Sequence, residues 1–380
     1  MSDQPSIRQA IEALLDPTRP FPPKLLYVLS DLDHEETRQL RGIWKTIPTA
    51  RRRNLLEDLA ELAEHDLVLM FEQVGLIGLE DEDDGVVVRA IDLLFEADDK
   101  HLPDKLLSLL KAQDRDELVR AAAANALGPY VYQGECEELP EDLLDRIETA
   151  LLIATRRDPS DLVRRRALEA VSFSSNPEVS ALIHQAAASD DIQWLETALF
   201  AMGRSANEIW KSDVLANLDH EELSVRLQAV HAVGGLMLEE ARPCLVKLLK
   251  QKHLASDLRK EAIWSLGEIG GEQVVELLEA LLDNADDDEE YMLLEEAIDK
   301  ANLVNETSNF ELLKVDESDQ DHQDHSHNLE EDEDDLPEDD FDDEEWNRYV
   351  DEDDLADEED EESYDFEDPF EDEDDEDLGF

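Results

Sequence analysis

One small residue recurs along the chain in a fixed setting, and that recurrence limits the folds open to it. With Ala90, Ala123, Ala167, Ala198, Ala229, Ala262 and Ala297 as reference points, the intervals are 33, 44, 31, 31, 33 and 35 residues. Four positions before each stands Val86, Val119, Val163, Trp194, Val225, Leu258 or Leu293. One position after stands Ile91, Ala124, Leu168, Leu199, Val230, Ile263 or Ile298, and four after stands Leu94, Leu127, Val171, Met202, Val233, Leu266 or Ala301. Such spacing draws one stripe along an α-helix, whereas a strand would alternate. Between these helices lies a second apolar-periodic segment, as in PDKLLSLLKA (Pro103–Ala112), EEARPCLVKLLKQ (Glu239–Gln251) and EQVVELLEALLD (Glu272–Asp283). Each unit is a helical hairpin whose buried stripe offsets only part of the entropy lost on ordering it. The hairpins must therefore stack, each covering the next.

Polar positions follow the same register. Arginine precedes the alanine by three in Arg120, Arg164, Arg226 and Arg259; Val87, Leu195 and Leu294 replace it elsewhere and interrupt any arginine ladder. Glycine follows by five in Gly128, Gly203, Gly234 and Gly267, where a left-handed residue is expected to close the helix. Acids gather at helix starts, and Asp219 of DHEE is expected to cap its helix. The longest interval holds GPYVYQGECEELP (Gly128–Pro140), expected to be a loop.

The VR··A···LG helix with its apolar partner resembles the HEAT repeat, specifically the short phycobilisome-lyase-type HEAT-like repeat, from about Glu82 to Val304. That resemblance implies an all-α, right-handed α-solenoid (a HEAT/armadillo-like superhelix) whose second helices line a groove. Residues 1–81 read as an N-terminal helical cap, with helices in SIRQAIEALLD, DHEETRQLRGIWKTI and TARRRNLLEDLAELAEHD; 82–304 as the solenoid; 305–380 as a disordered acidic tail. Trp194, on the apolar stripe, is expected in the core, and Trp264, two after its alanine, to be partly exposed. Trp210, in the second helix ANEIWKSDVLANL, either packs on a neighbouring repeat or faces the groove.

Formal charge is −69, with 33 basic and 102 acidic side chains. Residues 316–380 hold 38 acids and one base, Arg348, which leaves 64 acids and 32 bases for the rest, net −32. A body this acidic disfavours nucleic acid, whose phosphates need a basic footprint, and anionic membrane surfaces. Cys136 and Cys244 form no motif, no signal-like start is present and no apolar run is long enough to span a bilayer, which reads as a reduced, cytoplasmic setting. Aromatic residues punctuate the tail, among them Trp346, Tyr349, Tyr364 and Phe366, as candidate partner contacts. The tail is expected to compete with ligands at the basic spots Arg51, Arg52, Arg53, Arg156 and Arg157.

Signals for catalysis are weak. The deoxyhypusine hydroxylases resemble this repeat but carry His-Glu pairs inside helices, whereas His34-Glu35 and His220-Glu221 fall at helix starts. His322, His325 and His327 of DHQDHSH are metal-capable without the fixed geometry of a site. Glycine-rich phosphate loops, nucleophile elbows and CxxC pairs are missing, and no cofactor is expected. The favoured function is a non-catalytic scaffold or adaptor for a protein partner with basic patches, modulated by the acidic tail. The alternative is a lyase-like accessory protein or chaperone for a cofactor-bearing protein.

Overall fold

Every regular element among the described residues is a helix. The computed structural model describes residues 6–318 except 67, 96, 98, 252, 286 and 287. In chain order these are α1 (Ile7–Leu15), α2 (His34–Ile43), α3 (Thr49–His65), α4 (Glu72–Gly78), α5 (Asp84–Leu93) and α6 (Leu102–Lys111). They continue with α7 (Glu117–Ala126), α8 (Gly128–Glu135), α9 (Glu141–Arg157), α10 (Asp161–Val171), α11 (Pro177–Ala187) and α12 (Ile192–Arg204). The series ends with α13 (Lys211–Ala216), α14 (Leu223–Gly235), α15 (Arg242–Leu249), α16 (Ser256–Ile269), α17 (Glu272–Leu282) and α18 (Asp288–Ser318).

The reference alanines fall on α5, α7, α10, α12, α14, α16 and α18, and all seven are buried. These helices pack side by side in one unbroken layer, while α4, α6, α9, α11, α13, α15 and α17 each cover the alanine-bearing helix that follows. The apolar stripe is buried with three partial exceptions, Trp194, Leu293 and Ile298. Trp194 packs against the core but is only half-buried, with the guanidinium groups of Arg164 and Arg165 5.7 and 5.9 Å from the centre of its ring.

In two of the four copies, arginine at the third position before the alanine ties one repeat to the start of the next alanine-bearing helix. Arg120 donates through Nε and Nη2 to both oxygens of Asp158, each at 3.1 Å, and both residues are buried. Asp158 also accepts the Ser160 amide at 2.9 Å, fixing the residue that caps α10. Burial alone would push the Asp158 carboxyl up; Arg120, the Ser160 amide and Gln113 outweigh it and hold it below the usual carboxylate range. Arg259 grips Glu290 on α18 in the same manner, at 2.7–3.1 Å. Arg226, by contrast, takes the carbonyls of His220 and Glu221 in its own unit.

The same device appears upstream of the alanine register. Arg52 of α3 pairs with buried Asp81 at 2.9 Å, and Asp81 accepts the amide of Asp83, the cap of α5. Leu55, Leu56 and Leu59 supply the buried stripe, and α3 packs on α5 as later members of the layer pack on one another. The alternating arrangement therefore already holds at α3, with Leu55 where later units carry alanine.

Three local expectations are corrected. Gly128, Gly203, Gly234 and Gly267 do not close helices in the left-handed region; among described glycines only Gly270 and Gly271 have positive φ. Gly203, Gly234 and Gly267 sit where neighbouring backbones nearly touch: a Cβ on Gly203 would lie 2.8 Å from Ala232 Cα, on Gly234 2.9 Å from Ser265 Cα, and on Gly267 2.9 Å from Ala297 Cα, whereas at Gly128 it would meet Ala170 at an ordinary 3.4 Å. The end of α14 is closed instead by Met237 at φ 48°, with the Met237 and Leu238 amides bonded back to Gly234 and Val233. Asp219 does not cap α14, which starts after Glu222. The insertion after Gly128 begins as the short helix α8, and Gly134 there packs against the Leu144 side chain. At the far end α18 continues past 304 to Ser318.

Removing one member of the buried Arg120–Asp158 pair strands a charge, so Asp158→Ala should cost about 3–5 kcal/mol. Adding Arg120→Met should recover most of that loss in urea unfolding. Since the folded carboxyl titrates below its unfolded value, the pair contributes fully at neutral pH and fades as pH falls through the acid range. Gly203→Val should lower stability by about 1–3 kcal/mol through overpacking against Ala232, measured the same way.

Candidate functional site

Two positions after each reference alanine, a side chain leaves the packed stripe and projects from the layer. That column reads Asp92, Asn125, Glu169, Phe200, His231, Trp264 and Asp299. Its three central members stack across successive repeats. The Phe200 and His231 rings lie 5.3 Å apart at 14°, and His231 and Trp264 lie 4.7 Å apart at 12°. All three are half-buried. Gly203 and Gly234 make the register possible, because helices held this close bring equivalent side chains within stacking distance.

The row extends toward the amino-terminal side. Arg204 lies 4.3 Å from the centre of the Phe200 ring and 4.9 Å from that of Phe173, and Phe173 meets Tyr132 of α8 edge-on at 5.4 Å. Tyr132, Phe173, Arg204, Phe200, His231 and Trp264 thus form one continuous row from α8 to α16. Arg204 has no salt-bridge partner among the described residues, and burial between the rings pushes its pKa down. His231 Nδ1 lies 2.8 Å from Glu261 Oε1, which fixes the plane of the central ring.

A recess flanks each end of the stacked rings. The first, about 350 Å³, is bordered by Arg165, Arg166, Glu169, Phe200 and Gln228. Within it, Glu169 is buried and accepts from Arg166 at 2.5 Å and from the Thr197 hydroxyl at 3.0 Å. The second, about 300 Å³, lies between Trp264 and the acids Glu268, Glu296 and Asp299, with Lys300 3.3 Å from Glu268. Flat rings bounded by guanidinium groups at one end and carboxylates at the other offer contact surface and charge discrimination to a bound chain.

Residues singled out from sequence fare differently. Arg51 donates to the carbonyls of Asp16 and Arg19 at 3.0 and 2.6 Å and so staples the turn after α1. Arg52 is buried against Asp81, and Arg53 holds both Asp83 oxygens at 2.7 Å. Arg156 is bonded to Glu178, whereas Arg157 is exposed. Of these five basic residues, only Arg157 has no hydrogen-bond or salt-bridge partner among the described residues. Trp210 is fully buried beside His184, ring centres 4.4 Å apart, so it packs between repeats and does not face a groove. The stacked Phe200, His231 and Trp264 rings lie on alanine-bearing helices and not on the second helices that the resemblance expects to line a groove. Trp264 is half-buried, so it is partly exposed, in keeping with its position off the stripe. Trp346, Tyr349, Tyr364, Phe366, His322, His325 and His327 lie outside the described residues. Among the described residues no cluster of three or more His, Cys, Asp or Glu is placed to hold a metal ion. No helix of the described residues is long and apolar enough to cross a membrane.

A family model of HEAT repeats matches residues 211–298, the span from α13 into α18. Residues 211–298 therefore form HEAT repeats, and the stacked hairpins on the amino-terminal side of them follow the same arrangement. Among solved structures the chain is similar to YibA of Escherichia coli, with 17% identity over 73% of this chain and 95% of that one, TM-score 0.39. It is similar to the CpcE–CpcF complex of phycocyanin lyase from Nostoc sp. PCC7120, with 20% identity over 60% and 94% of the chains, TM-score 0.41. It is also similar to human deoxyhypusine hydroxylase in complex with glycerol, with 16% identity over 78% and 96%, TM-score 0.31. At these values the likenesses say nothing about activity. No curated protein sequence matches the chain.

If the rings couple the repeats, substituting Phe200→Leu and His231→Leu singly and together should give an interaction energy of about 0.5–1.5 kcal/mol in a double-mutant cycle. Additive losses in urea unfolding would show that the rings merely lie side by side.

Proposed function

We propose that this HEAT-repeat protein is a non-catalytic scaffold that docks a protein partner along its alanine-bearing helices. The observation that carries the reading is the stack of Phe200, His231 and Trp264 across three repeats, half-covered by the chain's own residues. Aromatic faces and arginine are the side chains that dominate protein interfaces, because they bury large area at low entropic cost. A bound segment lying across the row would cover the exposed faces and reach the flanking recesses.

The acidity of the chain supports a partner with basic patches. Glu261, Glu268, Glu296 and Asp299 surround the Trp264 end, and the body outside residues 316–380 carries net −32. The further −37 of residues 316–380 strengthens the field that steers such a partner, which raises the encounter rate more than the final affinity. The proposed setting is cytoplasmic, consistent with the unpaired Cys136 and Cys244.

The test compares proteins captured from the native source by wild type and by a Phe200→Ala/Trp264→Ala variant of matched folded content. Wild type should retain a set at low salt that elutes at high salt and that the variant loses by about tenfold or more. An identical set on both baits would refute the ladder as the docking strip.

A further inference from the structure

At the opposite end of the described repeats a second surface combines apolar exposure with carboxylates. A groove of about 590 Å³ lies between α3, α4 and α5. Phe71 forms a buried part of its floor, with Ala60, Ala63 and Leu93 around it. Met70 and Phe95 stand on its rim, each 58% exposed, with Val68 nearby at 81%. Three carboxylates, Glu64, Glu72 and Asp92, open onto the same space.

The rim is held in place. Met70 O accepts the Asp31 amide at 2.9 Å, and Met70 N donates to Ser30 Oγ at 3.0 Å, so the strand of connector carrying the side chain is fixed from both sides. Asp31 takes φ 50° to do this, a conformation that costs a non-glycine residue about 1 kcal/mol or more. An exposed methionine on a pinned backbone is a preformed contact, not a fraying loop.

Charge decides the occupant. The sequences of α4 and α5 contain one base, Arg89, and it is turned to Glu57 at 3.2 Å and to Gly85 O at 3.0 Å. Acids continue along α3 at Glu57, Asp58 and Glu61. Crowding by the groove wall pushes the Asp92 carboxyl above its ordinary range, which a cation seated beside it would reverse. An acidic or neutral apolar segment would set Glu64 and Asp92 against apolar surface with no cation brought by the partner.

We infer that the groove between α3, α4 and α5 is a docking site for a partner segment presenting apolar side chains next to lysine or arginine. This site is separate from the Phe200–His231–Trp264 row and stands without it. Apolar side chains fill the space over Phe71 against Met70 and Phe95, while the adjoining cations meet Glu64 and Asp92.

The experiment uses the full chain and three labelled probe peptides of equal length: an amphipathic leucine–lysine helix, oligo-lysine, and a leucine–glutamate helix. Fluorescence polarisation should show that the leucine–lysine probe binds most tightly. Phe95→Ser or Met70→Asp should weaken it about tenfold, the loss of one anchoring contact, whereas Leu118→Ser, an exposed leucine elsewhere, should leave it unchanged. A photo-crosslinking version of the probe should label residues within 60–97. Equal binding of oligo-lysine, unchanged affinity in both groove variants, or labelling elsewhere would overturn the proposal. The Phe200→Ala/Trp264→Ala variant should bind the probe normally; loss there would assign the peptide to the ring row and not to this groove. Circular dichroism of each variant confirms that affinity, not folding, has changed.

Discussion

Near-contact between the backbones of successive alanine-bearing helices is the constraint on which the rest of this structure depends. Gly203 faces Ala232, Gly234 faces Ser265 and Gly267 faces Ala297 at distances where an added methyl group has no room. Small residues here set the interhelical spacing, and the spacing sets everything carried on the outer side of that layer. With bulkier residues at the seam, Phe200, His231 and Trp264 would stand too far apart to stack. A packing requirement inside the repeat thereby creates a continuous surface feature across repeats.

Electrostatics follows a second rule, in which scarce bases are used internally. Arg52, Arg53, Arg120 and Arg259 each hold a carboxylate at or near the start of the next helix in the layer, and Arg115 reaches back to Asp84 at 2.9 Å. Those contacts satisfy helix caps and buried charges, where an unpaired partner is costly. Acids outnumber bases two to one even outside residues 316–380, so committing arginine to the interior leaves carboxylates on the surface. The α3–α5 groove and the Trp264 end of the ring row both reflect that imbalance.

The helical stripe could be read directly: valine, alanine, leucine and isoleucine at fixed offsets are buried in nearly every copy. The unit built on α3 escaped because Leu55 occupies the position used as a marker, although Arg52 kept its place in the device that joins units. The ring row escaped for a different reason. Its column contains Asp92, Asn125, Glu169 and Asp299 as well as the aromatics, so composition along the column marks a solvated face. Trp194 shows the reverse error, since its apolar position proved only half-buried, beneath two arginines, while for Trp210 the structure chose packing between repeats over the groove.

By itself, then, the sequence determined that this chain forms stacked helical hairpins with an acidic exterior, because periodicity and charge are properties of residues a few positions apart. Tertiary structure alone decided which arginines are free, which glycines are packing contacts and which aromatic side chains meet. Those outcomes depend on distances between residues some thirty positions apart. Such distances are fixed by how closely two helices approach, and no local pattern records that approach.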